Sequence, residues 1–231
     1  MSVVAIHQPN FFPWLGYFDK IYNSDVFIFL DHVQFPQKGS CWGNRVKFII
    51  AQEEKWFTAP IIRNKSLCLY NEITFDERQP WRVKFLKTLE SNYRKCPQFN
   101  TVFEMIKESV QTNESNLALF NQGFIMRVLE YIDLEHAKII NASDLAIQTS
   151  STELLIDLVK AVHGQAYLAG GGAKGYQQDH LFEQNGLELI YQNFQHPEYN
   201  QVNQINFTPG LSIIDLLMNC EKEEVRTIFK R

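Results

Sequence analysis

Three short stretches of the chain combine side chains and glycines that could handle a phosphorylated ligand. His7-Gln8-Pro9 closes an apolar run, and Trp14-Leu15-Gly16-Tyr17 follows a few residues later at the start of a helical pattern. A histidine in such a loop can stabilise a phosphoryl group during transfer, and a glycine at a helix start lets phosphates approach free N–H groups. Gly170-Gly171-Gly172-Ala173-Lys174-Gly175 lies between a strand pattern and a helical one. Its glycines would admit a polyphosphate to the backbone, and Lys174 would neutralise charge. The spacing is not that of a P-loop, which needs GxxxxGK followed by Ser or Thr. Ser150-Ser151-Thr152 stands at a third helix start.

Around these lie further candidates. Trp14, Tyr17 and Tyr176 could stack on a base or a sugar, beside Gln8. Asp31 ends an apolar strand pattern and could bind a hydroxyl or Mg²⁺. Gln34, Lys38 and Arg45 follow in a polar stretch where they could hold phosphates or a sugar acid. Plain structural readings stand beside each: a satisfied loop histidine for His7, a tight turn for the glycine loop, a helix cap for Ser150-Ser151-Thr152, solvated surface for Lys38 and Arg45. His32, His136 and His163 have no ligand spacing, and no HxxxH array exists, which argues against a dedicated zinc site. No GxSxG elbow appears, and Cys41 has no evident base, so neither a serine nor a thiol nucleophile is expected.

These loops need a frame to position them. Residues 2–6 and 26–30 read as buried strands with a short helix, 15–21, between them, which is the size of a right-handed βαβ unit. Residues 46–50 and 56–62 read as strands of an antiparallel pair, and 72–75 could add another. Helices are expected over 80–93, 99–111 and 117–131. The α/β pattern returns with a strand at 138–141 and a helix at 153–162, stopped by Gly164 as a left-handed residue. A strand at 166–169, a helix at 176–184 stopped by Gly186, and a strand at 187–194 complete it. The fold class is therefore α/β: a parallel Rossmann-like sheet from the N- and C-terminal parts, residues 1–75 and 137–231, with a mainly helical middle lobe, 76–136. The loops after the first strand and after 166–169 should open on the same edge.

Composition narrows the function classes. A net charge of −4 over 231 residues, with a pI near 5.9, argues against nucleic acid as a partner. No basic amphipathic stretch or 18-residue apolar run points to membrane insertion. The start, MSVVAIHQP, has no signal-peptide character, and the four scattered cysteines form no CxxC pair, so a reducing cytoplasmic location is expected. Aromatics reach 13%, and many rings adjoin Gly, Pro, His and Gln, a setting that suits a pocket lining.

The run from His7 to Ile21, HQPNFFPWLGYFDKI, resembles the signature of the WbqC-like family, with its HQP, FPW and GYF-K-I pattern. Asp31, Val33-Gln34-Phe35, Lys38, Asn44-Arg45, Trp56, Tyr93, Ser150-Ser151, Tyr167-Leu168 and the Gly170 to Lys174 loop extend the likeness. So do Tyr176, His196-Pro197, Tyr199, Gln201, Phe207 and the 211–217 segment. The resemblance implies a setting among O-antigen and other surface-polysaccharide genes. The first strand, loop and helix also resemble HIGH-motif nucleotidyl transferases, although WLGY lacks that motif's second histidine. The Gly170 loop resembles the phosphate-side loop of pantothenate-synthetase-like enzymes. Together these imply group transfer onto a nucleotide-linked amino sugar, with ATP and Mg²⁺ used if a carboxylate is first adenylated. In that reading His7 and Lys174 stabilise phosphate charge, and His196 joins the substrate contacts. The alternative is a non-catalytic binder of a glycan or nucleotide sugar within the biosynthetic complex.

Overall fold

A computed structural model describes residues 1–36, 42–64, 67–133, 135–173, 175, 177–202, 204 and 206–230. In chain order the elements are β1 (Val3–His7), α1 (Leu15–Tyr22), β2 (Val26–Phe29), β3 (Arg45–Ile50), β4 (Glu53–Thr58), β5 (Ile61–Ile62) and β6 (Thr74–Phe75). Helices α2 (Trp81–Tyr93), α3 (Phe99–Val110) and α4 (Leu117–Ile132) follow. Then come β7 (Lys138–Asn141), α5 (Ser151–Ala161), β8 (Ala166–Ala169), α6 (His180–Gln184), β9 (Glu188–Tyr191), α7 (Ile213–Asn219) and α8 (Lys222–Phe229).

The chain forms two compact units. The first comprises Met1–Pro9, Gly16–Val33 and Glu135–Gln195; the second comprises Asn10–Leu15, Gln34–Leu134 and His196–Arg231. The division thus falls after residue 33 rather than 75, and the C-terminal segment from His196 sides with the helices rather than with the parallel sheet. Local periodicity reports which face of an element is buried but not which neighbour buries it.

In the first unit five parallel strands run in the order β7-β2-β1-β8-β9. Side chains alternate across a strand. Val4 and Ile6 join a core with Leu154, Leu158 and Val159 of α5 and Phe182 of α6. Ala5 and His7 face the other way, where His7 meets Tyr17 of α1. The sheet is therefore covered by α1 on one face and by α5 and α6 on the other.

One expected helix stop and one expected helix start differ from the observed ones. After α5 the left-handed residue is His163, φ 56°, and not Gly164. Gly164 is glycine for space: a Cβ there would overlap Val4 Cγ2 and lie 2.8 Å from Val159 Cγ1. Gly164→Ala is expected to cost about 1–3 kcal/mol by overpacking, read as a lower urea midpoint at an unchanged m-value; an unaltered midpoint would show that the strand and helix can part freely. Helix α6 starts at His180, four residues later than expected. Residues ahead of it are engaged elsewhere: Gln178 N donates to Thr152 Oγ1 at 3.1 Å, and Tyr191 OH donates to Asp179 at 2.8 Å.

The second unit packs α2, α3, α4, α7 and α8 with two antiparallel pairs, β3–β4 and β5–β6. Its core is aromatic. Phe11 and Phe12, from the HQPNFFPW motif, are fully buried; Phe12 lies 4.5 Å from Phe85 and 4.2 Å from Phe124, centroid to centroid. These two rings fill a core rather than line a pocket, and Phe12 adopts φ 47° to do so.

Candidate functional site

Counted by appearance, the parallel sheet has order 3-2-1-4-5, which reverses between β1 and β8. Ligands of open α/β sheets bind beyond the strand carboxyl ends at such a reversal. Pairing of β1 with β8 ends at Ala5↔Leu168, whereas β1 stays with β2 to His7↔Phe29 and β8 stays with β9 to Ala169↔Tyr191. The two strands part under the reversal. Ser2 O faces β8, accepting from Ala166 N at 3.1 Å, and His7 O faces β2, accepting from Leu30 N at 2.9 Å. By alternation Ile6 O points into the gap. The ammonium of Lys20 takes the place of a strand partner there, donating to Ile6 O at 2.8 Å.

Lys20 is 3% exposed, and among the described residues no carboxylate pairs with it. Its other neighbour is the Tyr167 ring, 5.8 Å from Nζ. Burial pulls its pKa down to about 7. An unpaired buried cation costs stability, so Lys20→Met is expected to stabilise the fold by about 1–4 kcal/mol at and below pH 7. The unfolded chain keeps this proton to near 10.5 and the folded chain releases it above about 7, so wild-type stability should climb across that window. Melting curves from pH 6 to 10 should show the climb in the wild type and its loss in Lys20→Met; parallel profiles would place the charge elsewhere.

His7 ends β1 with its ring edge-on to Tyr17 at 4.9 Å and its Nδ1 3.1 Å from Gln8 O. A carbonyl only accepts, so Nδ1 carries the proton in this contact. Desolvation and then the charge of Lys20 lower its pKa to about 3, so the ring is neutral at pH 7 and Nε2 bears a lone pair. In this tautomer the neutral ring is an acceptor at Nε2. Tyr17, expected to stack on a ligand, is 1% exposed and braces this corner, its OH donating to Gln8 O at 3.0 Å.

The glycine loop leaves β8 at the same edge. Gly171–Ala173 forms a 3-10 turn. Among the described residues, a Cβ at Gly170 or Gly172 would meet nothing within 4 Å, and one at Gly171 only Gln192 O at 3.7 Å. Packing against the described residues therefore does not demand these glycines. Gln192, after β9, ties the edge to α1: its Nε2 donates to Gly16 O at 2.8 Å and to Asp19 Oδ2 at 2.6 Å. The Asp19 carboxyl is raised in pKa, chiefly by desolvation. Asp31 is spent internally, accepting from Ser143 N at 3.0 Å and Ser143 Oγ at 2.6 Å. Ser150 precedes α5 without a side-chain cap bond, and Ser151 is held at φ 54°, a strained start at the carboxyl edge.

The first unit thus gathers His7, Gln8, Gly16, Tyr17, Asp31, Ser150, Ser151 and Gly170 to Gly172 at one sheet edge. Trp14, Gln34, Arg45 and His196 belong to the second unit. Gln34 is exposed and bridges Leu69 through its backbone, and burial lowers the His196 pKa. Lys38, Cys41, Lys174 and Tyr176 lie outside the described residues. Sequence reading missed Lys20, Asp19 and Gln192. The signal for Lys20 was its place in the GYF-K-I pattern.

The model of the WbqC-like protein family matches residues 8–227. The chain belongs to the WbqC-like family. A relative from Mycobacterium tuberculosis (strain ATCC 25618 / H37Rv), "Uncharacterized protein Rv1507c", is 27% identical over 227 residues, covering 96% of each chain. No solved structure matches. Among the described residues of this WbqC-like protein no helix is long and apolar enough to cross a membrane, and no three His, Cys, Asp or Glu side chains gather as metal ligands.

Proposed function

We propose that this WbqC-like protein is a nucleotide-dependent group transferase of surface-polysaccharide assembly, acting on a nucleotide-linked amino sugar. The observation that carries the reading is the gap between β1 and β8, where a buried Lys20, with no carboxylate partner among the described residues, donates to Ile6 O and a neutral His7 ends the strand. Phosphates beyond the strand ends would meet the open backbone of Gly170 to Gly172 and the N–H groups at the start of α1, and would supply the counter-charge Lys20 lacks. His7 Nε2 would take the proton of the attacking sugar amine. The transferred carboxylate would be activated by attack of its oxygen on the α-phosphorus of Mg·ATP, which breaks the bond to the β-phosphate and releases pyrophosphate. The amine nitrogen then bonds to the acyl carbon, and AMP leaves with the electron pair of the broken bond.

Calorimetric titration of Mg·ATP and of a UDP-linked amino sugar tests the reading, followed by mass analysis of mixtures containing a short carboxylate. Saturable binding of either nucleotide, weakened about 10–100-fold by Lys20→Met, supports it. Failure of both to bind at millimolar concentration overturns it.

A further inference from the structure

Strand alternation gives the β3–β4 hairpin of the second unit two unlike faces. Val46, Phe48 and Phe57 point inward and are buried. The opposite face pairs Lys47 with Trp56 and Arg45 with Thr58. Trp56 is therefore not a core residue, and it stays partly exposed. Trp42 meets it at 4.9 Å, and Trp14 meets Trp42 at 4.9 Å, all three partly exposed. Three of the four tryptophans of the chain form this one strip.

Two cations accompany the rings. The Arg45 guanidinium lies 4.1 Å from the Trp56 centroid, and Lys47 Nζ lies 5.5 Å from it. Lys47 is paired with Glu54 at 2.6 Å. Arg45 is not: among the described residues its side chain has no hydrogen bond or carboxylate, and its Nε is shielded from solvent without a partner. A guanidinium over an indole keeps its N–H fork for an acidic group, and among the described residues Arg45 has none.

We propose that this strip binds a pyranose ring bearing an acidic substituent, with the ring over Trp56 and Trp42 and the acid on Arg45. Sugar C–H bonds, polarised by ring oxygens, favour the negative face of an indole. A planar fork suits carboxylate and phosphate alike. The proposal stands on the second unit alone and does not depend on the nucleotide reading.

The test uses indole N–H signals of the ¹⁵N-labelled protein, assigned through single Trp→Phe variants. Probes are glucose 1-phosphate, glucuronate, glucose and inorganic phosphate. The expected result is saturable movement of the Trp42 and Trp56 signals by an acidic sugar, with Trp81 still. Glucose should bind about tenfold more weakly, and the tighter of the two acids identifies the substituent. Arg45→Met should bring the acidic sugar down to the level of glucose, and Arg45→Lys should fall between. Stationary indoles with every sugar, equal effects from inorganic phosphate alone, or full affinity in folded Arg45→Met would each overturn the proposal.

Discussion

Replacing His7 by asparagine is expected to lower turnover about 10²–10³-fold, the scale of removing one general base, while leaving nucleotide affinity and melting temperature nearly unchanged. In the proposed transfer the Nε2 lone pair would act only as the amine loses its proton, so the loss would belong to the transition state. Asparagine keeps a polar group beside Tyr17 and Gln8 O, which preserves the packing of the corner. In the unliganded protein the His7 pKa is near 3, too low for an effective base. A bound phosphate would offset the Lys20 charge and raise it, so kcat should show an acid limb above that value. Matched measurements of kcat, KM and thermal melting settle the role. Retained turnover with a lost melting temperature would make His7 structural and leave a binding protein as the better reading.

The largest stability effect is expected at Asp215, on α7. Its carboxylate is buried and accepts from Tyr93 OH at 2.9 Å, Tyr199 OH at 2.7 Å and Gln201 Nε2 at 2.8 Å. Gln201 also clasps Thr208 through N–H and C=O contacts, so the network fastens the irregular segment before α7 to helix α2. Desolvation raises the Asp215 pKa while the three donors lower it. Asp215→Ala would strand three buried donors at once, a loss of about 3–5 kcal/mol. Asp215→Asn, which keeps one acceptor oxygen, should lose about half of that. Urea titration of both variants checks the ordering. A loss under about 1 kcal/mol in Asp215→Ala would mean that water reaches the donors and the network is loose.

The parallel strands were legible because they are short apolar runs, β-branched in β1, β2 and β7, and β7 and β8 fall on their expected residues. The reversal edge was legible through the glycine loop and the His7 turn. Lys20 was not, because a lysine inside a helical pattern reads as solvated surface; its burial depends on β1 and β8 parting, a register detail with no local trace. The Asp215 network joins residues 122 positions apart, so Tyr199 and Gln201 stood out only as part of a resemblance. Phe11 and Phe12 misled for a related reason: their Pro-rich surroundings suggest a loop, and the segment from Asn10 to Trp14 is a loop that enters the second unit's core.

The chain changes unit five times between its ends. On the ribosome β1 emerges early but gains its β8 neighbour only after some 160 further residues have been made, and β9 later still. The second unit waits equally for α7 and α8. Neither half can be cut out as a continuous piece of gene, and a nascent chain stopped after β8 but before β9 exposes an unfinished sheet edge. Closure of both units therefore waits for elements made late, and an apolar strand must be shielded in the interval.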